Sequence, residues 1–176
     1  MSQETLYDDR KPSTMTAKIR AALDLYHRCQ ILFVHRDADG PDPARRYQEI
    51  RAAIDMLPQD SMSMAYVCVV PIRMTEAWLL TEETAIRRAA GNPNRTVHLP
   101  LPSLQHIEAI PDPKERLREL LRTASQLTGR RLKRFNDSLC AQRVAAYMHG
   151  FQELRALSAF KRLESDLTAI IRQLGY

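Results

Sequence analysis

Two aspartates one residue apart, Asp37 and Asp39, stand where an apolar run stops. They follow Ile31-Leu32-Phe33-Val34-His35-Arg36 and precede Gly40, Pro41 and Pro43. Paired carboxylates suit magnesium, with phosphate and water completing its octahedron. Without a metal they repel, and one must keep its proton. Asp-Ala-Asp-Gly is equally good turn chemistry, so a metal site and an acidic turn are both open readings. Glu76 is a third carboxylate, placed shortly after a second apolar run. It suits a metal ligand or general base, or simply a helix-start glutamate favoured by the helix dipole. Asp37, Asp39 and Glu76 are therefore the candidate catalytic and metal-ligating residues, with Mg2+ or Mn2+ as the cofactor.

Cations surround these acids. Arg36 adjoins the aspartate pair and Arg73 precedes Glu76; each suits an ion pair or a phosphate contact. Arg130, Arg131, Lys133 and Arg134 form a basic run that can follow a nucleic-acid backbone or lie on a solvated face. The net charge of +5 points the same way, toward anionic partners. His27, His98, His106 and His149 lack zinc-ligand spacing. Trp78 reads as a core anchor.

The three cysteines show no metal-ligand spacing and read as reduced thiols, Cys29 and Cys68 as small buried hydrophobes. No apolar run reaches membrane-spanning length, and the first residues lack a basic start and an apolar core. A cytoplasmic protein with no membrane partner is the expectation.

The elements must place the acids on one rim. Residues 1–14 read as a tail, with Thr5-Leu6-Tyr7 as a possible short edge strand. Ser13 or Thr14 caps a helix from Met15 to about Arg28, with Ile19, Ala22, Leu23 and Tyr26 on its buried face. The strand ending at the aspartates follows. Asp42-Pro43 restarts a helix with Tyr47, Ile50, Ile54 and Leu57 inward, and Pro58 stops it. Ala65 to Val70 is a second strand. Strand, helix, strand is a parallel βαβ unit, and ligands bind beyond the carboxyl ends of such strands. Helices are expected over 74–80, after Thr81-Glu82-Glu83, around 103–110, from Asp112-Pro113 to about Gln126, over 137–148 and over 158–174. The division is an α/β core over 15–91 and a helical extension over 92–176.

Both strands read as buried on two faces. Two parallel strands are too few to stand alone. A further strand is expected from the first residues, from a second copy of the chain or from a segment ahead of the first residue, which makes a homo-oligomer one expectation.

A strand ending in Asp-x-Asp, followed by a βαβ unit and an acidic rim, resembles the TOPRIM domain of topoisomerases, primases and OLD-type nucleases. Pro71-Ile72-Arg73-Met74-Thr75-Glu76-Ala77-Trp78-Leu79-Leu80 resembles the strand-to-helix R-E-x-E-x-W/Y-L-L segment of the OLD-like branch. The chain from His35 onward is similar to a bacterial family, domain of unknown function 4276. The matching pieces are His35 to Asp39, Val70-Pro71 with Glu76 to Leu80, Asp112-Pro113-Lys114, and Phe151 to Arg155 with Ala159-Phe160. The TOPRIM pattern opens on a glutamate-bearing strand; here Glu4 is the only glutamate ahead of the first helix, and no apolar run accompanies it.

The resemblance implies a magnesium-dependent phosphodiesterase, a nuclease or nuclease subunit, placed beside ATPases in phage-defence or restriction clusters. Its rival is a degenerate TOPRIM-like scaffold that binds an ATPase or itself. A receiver-like phosphoacceptor domain is a third reading, disfavoured because no lysine ends a later strand. The fold class expected throughout is α/β, a small parallel sheet of TOPRIM or Rossmann-like type followed by a mostly helical carboxyl-terminal half.

Overall fold

The computed structural model describes residues 14–58 and 64–176. The expected tail strand at Thr5-Leu6-Tyr7 lies outside these residues. Thr14 starts the first helix, α1 (Met15–Leu25), its hydroxyl accepting the Ala17 amide at 3.1 Å. The strand β1 (Ile31–His35) leads through the acidic turn to α2 (Ala44–Asp55), whose first amide donates to the Asp42 carboxylate at 2.9 Å. Then β2 (Ala65–Val69) pairs with β1 in parallel, from Ile31 opposite Ala65 to His35 opposite Val69. These two strands form the sheet among the described residues.

The helical remainder begins with two short pieces, α3 (Glu76–Leu79) and α4 (Glu83–Ala89). A 3-10 turn at Leu104–Ala109 precedes α5 (Pro113–Ser125), capped as expected by the Asp112 side chain, which accepts the Glu115 amide. Gln126, in the left-handed conformation at φ 53°, ends it ahead of Gly129. The last elements are α6 (Gly129–Lys133), α7 (Asp137–Tyr147), a 3-10 turn at Glu153–Ala156, and α8 (Ser158–Gln173). Glu108, fifty residues earlier, caps α8. Its two carboxylate oxygens take the Ser158 and Ala159 amides and the Ser158 hydroxyl at 2.8–3.1 Å.

Apolar side chains gather in two clusters. The first joins α1, α2 and one face of the sheet through Ile19, Leu23, Val34, Ile50, Ile54 and Val70. The second runs from Ala77 through Ile86, Leu117, Leu121 and Val144 to Leu157. Thus α3 and α4 pack with the helical half, and the clusters divide between Val70 and Ala77 rather than at Gly91.

Three expectations need correction. α1 ends at Leu25, and Tyr26, expected on its buried face, is 56% exposed. β1 is buried on one face only, since Val34 is buried while Phe33 is 53% exposed. Both α1 and α2 cover the Leu32–Val34 side, α8 packs along β2, and no described element covers Phe33. Cys29 is exposed in the turn before β1, whereas Cys68 is buried in β2; all three cysteines are free thiols. Trp78 does anchor the second cluster, meeting Phe160 edge-on at 5.5 Å. No helix among the described residues is long and apolar enough to cross a membrane.

Candidate functional site

The pairing of β1 and β2 continues beyond both strands. The amides of Arg36, Ala38 and Asp39 donate to the carbonyls of Val69, Pro71 and Arg73, each at 3.0 Å, and the Arg73 amide returns to Gly40 at 3.2 Å. Asp39 and Arg73, locked together by these bonds, are both left-handed, at φ 56° and 60°. Each such non-glycine residue costs about 1–3 kcal/mol and persists only when its surroundings hold it. The two acid-bearing segments are therefore fixed as one rim.

Asp37 sits on this rim held by Thr75, with His35 Nε2 3.4 Å from its Oδ1. Its Oδ1 accepts the Thr75 amide at 3.0 Å and the Thr75 hydroxyl at 3.1 Å. His35 Nε2 lies 2.8 Å from Thr75 Oγ1, within hydrogen-bond distance. Asp37 Oδ2 has no hydrogen-bond partner among the described residues. Thr75 immediately precedes α3, so the residue that orients Asp37 also places Glu76 in the first turn.

Asp39 is held differently. Its Oδ2 meets Arg46 Nη2 at 2.5 Å. Arg46 also donates to the Asp37 carbonyl at 3.1 Å and to both Glu49 oxygens at 3.0 and 2.7 Å. Glu49 meets Arg45 at 3.0 Å and Arg36 at 3.5 Å. The Arg46 hydrogen bond holds the Glu49 carboxyl below the usual range. Hydrogen bonds to Glu49 and Asp39 hold the Arg46 guanidinium above its ordinary value.

Asp37 and Glu76 line a common cavity of about 400 Å³, which Asp39 does not line. Facing them are Lys114, Arg118 and Gln142. The Asp112 cap sets the first turns of α5, and spacing of four residues puts Lys114 and Arg118 on one face. Arg118 is steadied by Ser138 Oγ at 3.2 Å and Glu115 at 3.5 Å. Lys114 has no ion pair among the described residues. The cavity thus draws Asp37 from the α/β half, and Glu76, Lys114 and Arg118 from α3 and α5 of the helical half.

The other cations lie elsewhere. Arg36 pairs with Glu49. The Nε of Arg73 is buried with no hydrogen-bond partner among the described residues. Arg130, Arg131, Lys133 and Arg134 are exposed on and just after α6, outside the cavity lining. That run makes one five-residue helix, since the left-handed Gln126 separates it from α5.

Sequence reasoning assigned no role to Lys114, Arg118, Thr75 or Arg46. The Asp112 cap followed by two bases four apart was a usable signal for Lys114 and Arg118. No local pattern marked Thr75 as the group that orients Asp37.

No three His, Cys, Asp or Glu side chains gather into a metal-holding group among the described residues. The two carboxylates on the cavity still fit magnesium or manganese, because magnesium is commonly held by one or two carboxylates plus water and substrate phosphate. Compared with protein families, curated proteins and solved structures, the chain matches none.

Proposed function

We propose that the chain is a divalent-cation-dependent phosphodiesterase, acting as a nuclease or nuclease subunit. The observation that carries the reading is the single cavity that Asp37 and Glu76 share with Lys114 and Arg118. Asp37, oriented by Thr75, and Glu76 would hold Mg2+ or Mn2+. Bound there, the ion supplies Lewis-acid polarisation of a phosphoryl oxygen and lowers the pKa of water. Lys114 and Arg118 bind the negative phosphate oxygens across the cavity, Arg118 through its planar fork and Lys114 as a mobile charge. A Glu76 carboxylate not occupied as a ligand can accept the proton of the attacking water. Arg130, Arg131, Lys133 and Arg134 suit a more distant stretch of backbone. The TOPRIM-like and phage-defence context remains part of this proposal.

The direct test is cleavage of labelled single- and double-stranded DNA and RNA with Mg2+ or Mn2+, comparing wild type with Asp37→Asn and Glu76→Gln. Cleavage by wild type that both variants lose supports the reading; equal cleavage by all three contradicts it.

One observation favours the non-catalytic scaffold instead. Asp39 is taken by Arg46, leaving two carboxylates on the cavity. Absence of metal binding together with stable association with itself or an ATPase would support that alternative.

A further inference from the structure

β1 uses one edge for β2 and, among the described residues, has no strand on the other. The phase of the pairing follows from the amides of Arg36 and Ala38, which donate toward β2. Backbone groups alternate sides along a strand, so Ile31, Phe33 and His35 turn their N–H and C=O groups to the free edge. This edge borders a groove of about 350 Å³ lined by Met15, Ile19 and Ala22 of α1 and by residues from Leu32 to Arg36. Because α1 runs back along β1, Lys18 near its start lies at the same end as His35 and Arg36. The groove combines apolar side chains from both walls with the polar groups of Lys18, His35 and Arg36. Lys18 is exposed without an ion pair among the described residues, and Arg36 is 44% exposed with Glu49 at 3.5 Å.

A row of unused backbone donors and acceptors is satisfied by an extended chain, not by a helix. The apolar walls select apolar side chains at alternate positions, and the cationic end selects a carboxylate. A second copy fits less well. Antiparallel pairing about Phe33 would set Arg36 opposite the partner's neutral Gln30, adding no carboxylate to the Glu49 that Arg36 already meets. We propose that the β1 edge docks an extended segment of a partner protein. That segment would carry alternate apolar residues and a carboxylate at the end meeting Lys18 and Arg36.

The test titrates a fluorescein-labelled peptide of alternating valine and threonine, flanked by glutamates, onto the full chain. Its lysine-flanked counterpart is measured beside it by fluorescence anisotropy. The glutamate-flanked peptide should bind at least about tenfold more tightly and should protect the Ile31, Phe33 and His35 amides from hydrogen exchange. Phe33→Pro removes an outward N–H that β2 does not use, so binding should vanish with circular dichroism and melting unchanged. Lys18→Glu leaves the strand intact and should lower the preference for glutamate flanks about tenfold. Equal binding of both peptides, or of neither, overturns the proposal. A dimer in sedimentation that Phe33→Pro dissociates would assign the edge to a second copy and overturn it. Protection of the same three amides in the free, monomeric chain would also overturn it, by placing the occupant within the chain itself.

Discussion

The two apolar clusters differ in how completely they are closed. In the amino-terminal one, β1 carries α1 and α2 on one face and leaves Phe33 half exposed on the other. In the carboxyl-terminal one, Ile86, Ile107, Leu117, Leu121 and Val144 are fully buried within a ring of helices. The proposed site lies on the seam, with Asp37 from the first and Glu76, Lys114 and Arg118 from helices of the second. A firm helical platform presents Lys114 and Arg118, while the thinner half presents Asp37 beside an edge still open to a partner. The same contrast separates Asp37 and Asp39, two residues apart. One lines the cavity with bonds from Thr75, and the other lies outside it, exposed and paired with an arginine.

The largest expected effect tests the firmness of the platform. Leu121→Ala should cost about 2–5 kcal/mol in chemical denaturation, through lost burial and an unfilled cavity. Val34→Ala in the open cluster should cost less, about 1.6 kcal/mol for two methylene equivalents. Reversal of that order would break the contrast between the clusters.

Next comes the aspartate pair. Asp37→Asn should lower metal-dependent cleavage about a hundredfold, ~2.7 kcal/mol of barrier. Asp39→Asn should stay within about threefold of wild type, as expected for surface substitutions worth about 0.5 kcal/mol. Equal losses would put Asp39 back beside Asp37 as a ligand. Across the seam, Lys114→Ala should raise KM about tenfold with smaller change in kcat, and Lys114→Arg should recover part of the loss.

The smallest effect concerns acid stability. Burial pushes Glu82 up, but bonds from the His149 side chain and amide and from Thr84 outweigh it and leave Glu82 below its ordinary value. A depressed carboxyl stabilises the fold above its unfolded pKa of about 4.3 and loses that contribution as pH falls through the folded value. Glu82→Gln should therefore flatten the decline of melting temperature on the acid side of about pH 4.3.

What was readable in the sequence was local. Thr14 and Asp112 cap the helices their side chains announce, and Ile50, Ile54 and Leu57 line the face their spacing gives. The two strands pair in parallel because one amphipathic helix separates them. Long-range relations were not readable. Phe33 belongs to a good strand, and only the placement of both early helices on one side exposes it. Arg46 lies on the outer side of its helix, but only the turn through Asp39 brings that side to the rim. Lys114 and Arg118 share a cavity with Glu76 across about forty residues of chain, through a packing that no local spacing encodes.

The central claim is that Asp37 and Glu76, facing Lys114 and Arg118, hold a divalent cation. Titration of the purified chain with Mn2+, followed by electron paramagnetic resonance of the free ion, tests this without requiring a substrate. Wild type and Asp39→Asn should bind one ion alike, whereas Asp37→Asn and Glu76→Gln should weaken binding about tenfold or more. No binding by wild type, or binding that Asp37→Asn leaves unchanged, would contradict the account.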